Sequence, residues 1–196
     1  MGLDMYLRTY KKSAEKVIPM DDLRMGELDN EKEFIQQQGK EKVFDMIMSN
    51  YLFPVQCGYS NSVYLATNLE IGYWRKANAI HKWFVENVQG GEDDCGYYTV
   101  TKAQILELRD LCQRVVDSLK NNPTHTVYDE NGNYNAEEFM YIAEAKALLP
   151  TQDGFFFGRT YYDEYYLETL RHTIRICDEA LYQVSDEWTF IYHSSW

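Results

Sequence analysis

Ile105, Leu108, Cys112, Val115 and Leu119 recur at the three- and four-residue spacing of a helix, and Leu167, Leu170, Ile174, Cys177, Leu181 and Val184 do the same. Each stripe covers one side of its helix only. Both helices must therefore bury that side against another layer. No run of about 18 apolar residues is present to suggest a membrane span. The two ends of the chain carry a different period. Leu3, Met5 and Leu7 alternate with Asp4, Tyr6 and Arg8, the pattern of a half-buried strand, and the segment from Glu187 through Trp188 to His193 reads as a final strand. Strands at both ends with helices between them predict an α+β fold. It is read as a single domain over residues 1–196, with a small, mainly antiparallel sheet that includes the N- and C-terminal strands, packed with about four to five helices.

Between these landmarks, Thr101 and Gln104 have the spacing of a capping box, so a helix is predicted from Thr101 to Leu119. Asp163, with Thr160, can open the long helix that runs to about Val184. A helix is also predicted over Glu31–Ser49, loops around Pro54 and Gly58–Asn61, and a strand at Ser62–Thr67. Leu69–Ile71 reads as a short strand running into a helix from Tyr73 that ends before Gly90, with Tyr73, Ala77, Ile80, Phe84 and Val88 as its buried face. Cys95–Val100 reads as extended. Asn131-Gly132 favours a type I′ hairpin turn, and Asn135 with Glu138 is read as the start of a helix reaching Leu149, where Pro150 stops it. Gln152–Gly158 reads as a turn, a short apolar strand and a second glycine. Residues 121–149 form a possible insertion.

The formal net charge is −12, from 19 Lys and Arg against 31 Asp and Glu, which argues against general nucleic-acid binding because phosphate contacts need a basic stripe. Cys57, Cys95, Cys112 and Cys177 lie far apart without a CxxC pair, so neither structural zinc nor a disulfide is expected, and no metal or cofactor is implied. A calcium loop starting at Asp129 fails: its sixth and twelfth positions are Tyr134 and Met140, not Gly and Glu. The acidic Met1–Leu7 segment does not suit a signal peptide, and a cytoplasmic location is expected.

Chemistry is sought first on the helix read from Tyr73. There Trp74, Asn78 and His81 form a stripe beside the core face and Arg75 adjoins it. Such a border can bind an anion or a planar ring; equally, His81 can be a core-edge histidine with Trp74 as packing. Gly158-Arg159-Thr160 places free backbone N–H groups and a guanidinium at one spot, which suits phosphate, or is a plain turn before a helix. The ligand-binding set expected is thus Trp74, Arg75, Asn78, His81 and Arg159. Common hydrolase, zinc-protease and nucleotide-fold signatures are absent, and a Cys95–His81 pair has no support from spacing. With 17 Tyr in the chain, Tyr161, Tyr162, Tyr165 and Tyr166 cannot all face inward, so some are expected to face a partner or a pocket.

The blocks Met1-Gly2-Leu3-Asp4-Met5-Tyr6-Leu7, Tyr73-Trp74-Arg75-Lys76-Ala77-Asn78-Ala79-Ile80-His81-Lys82-Trp83-Phe84, Gly154-Phe155-Phe156-Phe157-Gly158 and Ser194-Ser195-Trp196 resemble an uncharacterised family of small proteins of tailed bacteriophages and prophages. The resemblance implies a setting, the cytoplasm of an infected bacterium, and no activity or residue roles. Three functions compete. One is a non-enzymatic binder of a small anionic or nucleotide-like ligand, sequestering a host signal. Another is a protein-binding or DNA-mimic inhibitor of a host factor. The last is an enzyme using His81 as acid or base on a phosphorylated substrate. A homo-oligomer is compatible with each.

Overall fold

The computed structural model describes residues 2–12, 18–19, 55–56, 62–64, 66–184 and 188–196. The described strands are β1 (Asp4–Lys12), β2 (Ile18–Pro19), β3 (Val55–Gln56), β4 (Ser62–Tyr64), β5 (Ala66–Arg75), β6 (Tyr97–Val100), β7 (Thr124–Tyr128), β8 (Tyr134–Phe139) and β9 (Trp188–Ser195). The described helices are α1 (Asn78–Asn87), α2 (Lys102–Ser118), α3 (Ala143–Leu148) and α4 (Glu164–Gln183). The fold class is α+β, as the mixture of the two periods requires. The chain divides into two compact units, one made of Met1–Arg8 with Glu70–Trp196, the other of Thr9–Leu69.

In the unit Thr9–Leu69, β4 lies between β2 and β3 and pairs antiparallel with both, Ile18 opposite Val63 and Val55 opposite Tyr64. The helix expected over Glu31–Ser49 and the loops expected around Pro54 and Gly58–Asn61 lie outside the described residues.

The larger unit is built on a four-stranded sheet of order β5-β1-β9-β6, so the two terminal strands are central neighbours. Along β1, Met5 and Leu7 turn inward while Asp4, Tyr6 and Arg8 turn outward, as their alternation predicts. Trp74, Phe190, Tyr192 and Val100 complete the inner face. The helix α4 crosses this face so closely that a Cβ on Gly72 would stand 2.4 Å from Ile176 Cγ2. Glycine at 72 is thus what lets helix and sheet touch. Both long helices are held by the signals read from sequence. Thr101 and Gln104 close a reciprocal capping box on α2, and the Asp163 carboxylate accepts from the Tyr166 N–H at the start of α4. Cys112 and Cys177 are buried in the core, where desolvation pushes the Cys112 thiol well up and the Cys177 thiol up to about 12. Because the thiolate is the reactive form, alkylation at pH 8 followed by peptide mapping should label half-buried Cys95 first and reach Cys112 and Cys177 only after unfolding. Equal labelling of all three would contradict this packing.

Three local readings are corrected. The helix read from Tyr73 starts at Asn78, and Gly72–Arg75 is the end of β5. There burial alternates, with Gly72 and Trp74 in and Tyr73 and Arg75 out, so a period of two wins where 3.6 was read. Lys76, at φ +55°, breaks the strand from the helix. Tyr73 therefore leaves the helix's buried face, while Ala77, Ile80 and Phe84 keep it. Second, Asn135 and Glu138 do not cap a helix. They belong to β8, which pairs with β7, and the Glu138 carboxylate accepts from the Tyr162 N–H. The helix that Pro150 follows is only Ala143–Leu148. The hairpin turn spans Asp129–Asn133, with Gly132 alone at positive φ (+79°), instead of the two-residue type I′ form. Third, Phe155–Phe157 is a turn and not a strand. Within residues 121–149, Phe139, Ala145 and Leu149 are core residues.

Candidate functional site

The five residues expected to form one ligand site divide into an internal and an external group. Trp74 is internal: 2 % exposed, its indole N–H donates to Thr173 Oγ1 at 2.9 Å. Asn78, at the first turn of α1, is also buried. Its Nδ2 donates to the carbonyls of Phe157 (3.2 Å) and Arg159 (2.8 Å), and its Oδ1 accepts from the Gln152 N–H at 3.1 Å. One amide thus saturates three backbone groups of a loop that has no regular pairing of its own.

His81 has no exposed surface. Its Nε2 contacts the carboxylate of Asp93 at 2.9 Å, and its Nδ1 meets the Tyr192 hydroxyl at 2.7 Å. A carboxylate only accepts, so Nε2 carries the hydrogen, and in the neutral ring Nδ1 accepts from the Tyr192 hydroxyl. The other Asp93 oxygen accepts from the Trp196 indole N–H at 3.0 Å. Burial holds the Tyr192 hydroxyl protonated by pushing its pKa well up. With both ring nitrogens engaged and no face open, His81 has neither a substrate path nor a lone pair for Cys95. The arrangement is a buried hydrogen-bond chain tying α1, the Asp93 loop and β9 together. Among the described residues no group of three His, Cys, Asp or Glu is placed to hold a metal ion. No described helix is long and apolar enough to cross a membrane.

Arg75 and Arg159 make up the external group. The Arg75 guanidinium stands on the outer face of the sheet, 3.7 Å from Asp4 Oδ1 and 59 % exposed. Arg159 gives its carbonyl to Asn78 and leaves its side chain in water. Their backbones adjoin, since a Cβ on Gly158 would lie 3.0 Å from Lys76 Cβ.

The sheet's outer face carries a feature that the helix reading concealed. Tyr73 on β5, Tyr6 on β1, His193 on β9 and Tyr97 on β6 form one row across all four strands. Their ring centroids are 5.3, 6.1 and 4.2 Å apart in that order. The Arg8 guanidinium sits 4.8 Å over the Tyr6 ring and reaches Glu70 at 3.5 Å, and the Tyr73 hydroxyl donates to Asp4. That bond to Asp4 is the main reason the Tyr73 hydroxyl holds its proton more firmly than usual. His193 Nδ1 donates to the Gly96 carbonyl at 3.3 Å, which leaves Nε2 without a protein partner among the described residues. Tyr6 lies within the period-two terminal segment, so its outward position was legible; Tyr73, His193 and Tyr97 become neighbours only through strand order. Comparison with protein-family models, with curated proteins and with solved structures finds no match to this chain.

Proposed function

We propose that the protein is a non-enzymatic binder of a small anionic, nucleotide-like ligand, held on the outer face of the sheet. The observation that carries this reading is the placement of Tyr73 and Arg75 two residues apart on the same side of β5, beside Tyr6. Two residues along a strand advance about 6.6 Å, comparable to the reach from the base of a nucleotide to its phosphate. A planar ring against Tyr73 and Tyr6 then brings its anionic group to Arg75, which it shares with Asp4. Exposed guanidinium groups favour phosphate through paired N–H donors. The internal roles of Asn78 and His81 support binding over acid–base catalysis. A phage-accessory role that sequesters a host signal rests on the sequence blocks alone.

The same composition, Tyr and Arg on a flat face, favours a second reading, in which a host protein is the ligand. Thermal shift separates the two, using adenosine and guanosine 5′-monophosphates, a cyclic dinucleotide and inorganic phosphate. A nucleotide should raise the melting temperature of the wild type. Arg75→Ala should melt as the wild type does and lose about 1.5–3 kcal/mol of ligand affinity, the scale of a hydrogen bond to a charged group. No shift with any compound removes the small-ligand reading and leaves the protein partner.

A further inference from the structure

Consecutive residues of an extended strand point to opposite faces of its sheet, so Arg75 and Lys76 would diverge if β5 ran on. They do not. Lys76 takes the left-handed region at φ +55°, a conformation that costs a lysine free energy which glycine escapes, and its N–H is tied to the Leu3 carbonyl at 2.7 Å. The turn brings both side chains to Gly2, where an added Cβ would stand 3.6 Å from Arg75 Nη2 and 3.6 Å from Lys76 Cε. Those two atoms therefore lie no more than about 7 Å apart, beside a residue that has no side chain to fill the space. The stem of Lys76 also runs past Gly158, where an added Cβ would stand 3.0 Å from its Cβ and 3.4 Å from its Cδ.

Two like charges held this close repel, and one carboxylate stands against both. Asp4 is 3.7 Å from Arg75, an ion pair too long for a hydrogen bond, and the same carboxylate accepts from the Tyr73 hydroxyl. Lys76 has no ion-pair partner among the described residues, and both cations are exposed. We infer that the ligand proposed for the sheet face ends in a terminal phosphate, a phosphomonoester held by Arg75 and Lys76 together. The inference rests on that reading and names its anionic group. A guanidinium fork takes two phosphate oxygens with parallel N–H donors, and an ammonium, a single point of charge, takes a third. A phosphomonoester offers three such oxygens and nearly two negative charges at neutral pH. A diester has two free oxygens and one charge, so the fork alone exhausts it. The pair of cations therefore favours a nucleoside 5′-monophosphate over a cyclic nucleotide of the same base.

Isothermal titration calorimetry of the full chain at neutral pH tests it, with adenosine and guanosine 5′-monophosphates and the 3′,5′-cyclic monophosphates of the same bases. Base and sugar are then shared and the phosphate differs. The wild type should bind the better of the two monophosphates about ten-fold more tightly than its cyclic counterpart, the scale of one added charge-assisted contact. Lys76→Gln, which keeps most of the stem, should melt as the wild type does, lose about ten-fold toward the monophosphate and leave the cyclic nucleotide unchanged, so that the preference disappears. Lys76→Arg, which restores the charge, should retain the preference. A lysine that only packs against its neighbours would weaken both ligands alike. Equal binding of monophosphate and cyclic nucleotide by the wild type, or a preference that survives in Lys76→Gln, would overturn the inference and leave the sheet-face reading standing on its own mark, the loss caused by Arg75→Ala. Binding of none of the four nucleotides removes both.

Discussion

His81→Ala should lower the unfolding free energy by roughly 3–5 kcal/mol, as a large-to-small change in a packed core does. The substitution opens a cavity beside Phe157, whose ring meets His81 edge on at 5.1 Å. It also strips the Tyr192 hydroxyl of its acceptor in a site with no water access, and an orphaned buried group adds about 1–3 kcal/mol to the loss. Chemical denaturation is the measurement. Were His81 a ligand-facing residue at the edge of the core, the variant would keep most of its stability, and a loss under about 1 kcal/mol would indicate that. Tyr192→Phe gives a useful contrast, since it keeps the ring and leaves only the buried His81 Nδ1 without its donor; its cost should be about 1–3 kcal/mol.

Phe84→Ala carries a similar penalty by a different route, about 3–5 kcal/mol of lost packing. The ring stacks on Tyr192 at 3.9 Å with its plane tilted only 9°, and it meets Trp83 and Trp74 edge on at 5.2 and 6.0 Å. It is the point where α1, the end of β5 and β9 converge, so its removal loosens the packing of α1 on those two strands. Near-ultraviolet circular dichroism should lose much of its aromatic signal while the helix content persists below the melting point. A variant with wild-type stability would mean that these three elements do not share one core.

The sequence was informative wherever a side-chain period or a capping pair acts locally. The stripes of α2 and α4, the Thr101–Gln104 box and the alternation of β1 each follow from neighbours a few residues away, and each is present in the fold. It misled where two periods compete over a short span. Gly72 to Arg75 satisfies both, and the strand wins because Trp74 can bury against Thr173 while Lys76 accepts a left-handed turn. That one shift moved Tyr73 from a helix's buried face, and Arg75 from its border, to a sheet face and exchanged the candidate site with them. A core-edge histidine was one of the two readings of His81, but the partners of Asn78 and His81 were not legible, since they lie between 12 and 111 residues away. Long-range partners of that kind are chosen by topology. The aromatic row depends in the same way on β1 lying between β5 and β9.

On the proposed reading, ligands meet the protein on the outer face of the sheet and not along α1. Backbone amide chemical shifts, recorded as one of the nucleotides is added to the wild type, test it directly. The shifts that move should cluster at Tyr6, Tyr73, Arg75 and His193, with Asn78 and His81 at rest. Shifts gathered on α1, or none with any of the four compounds, would contradict it.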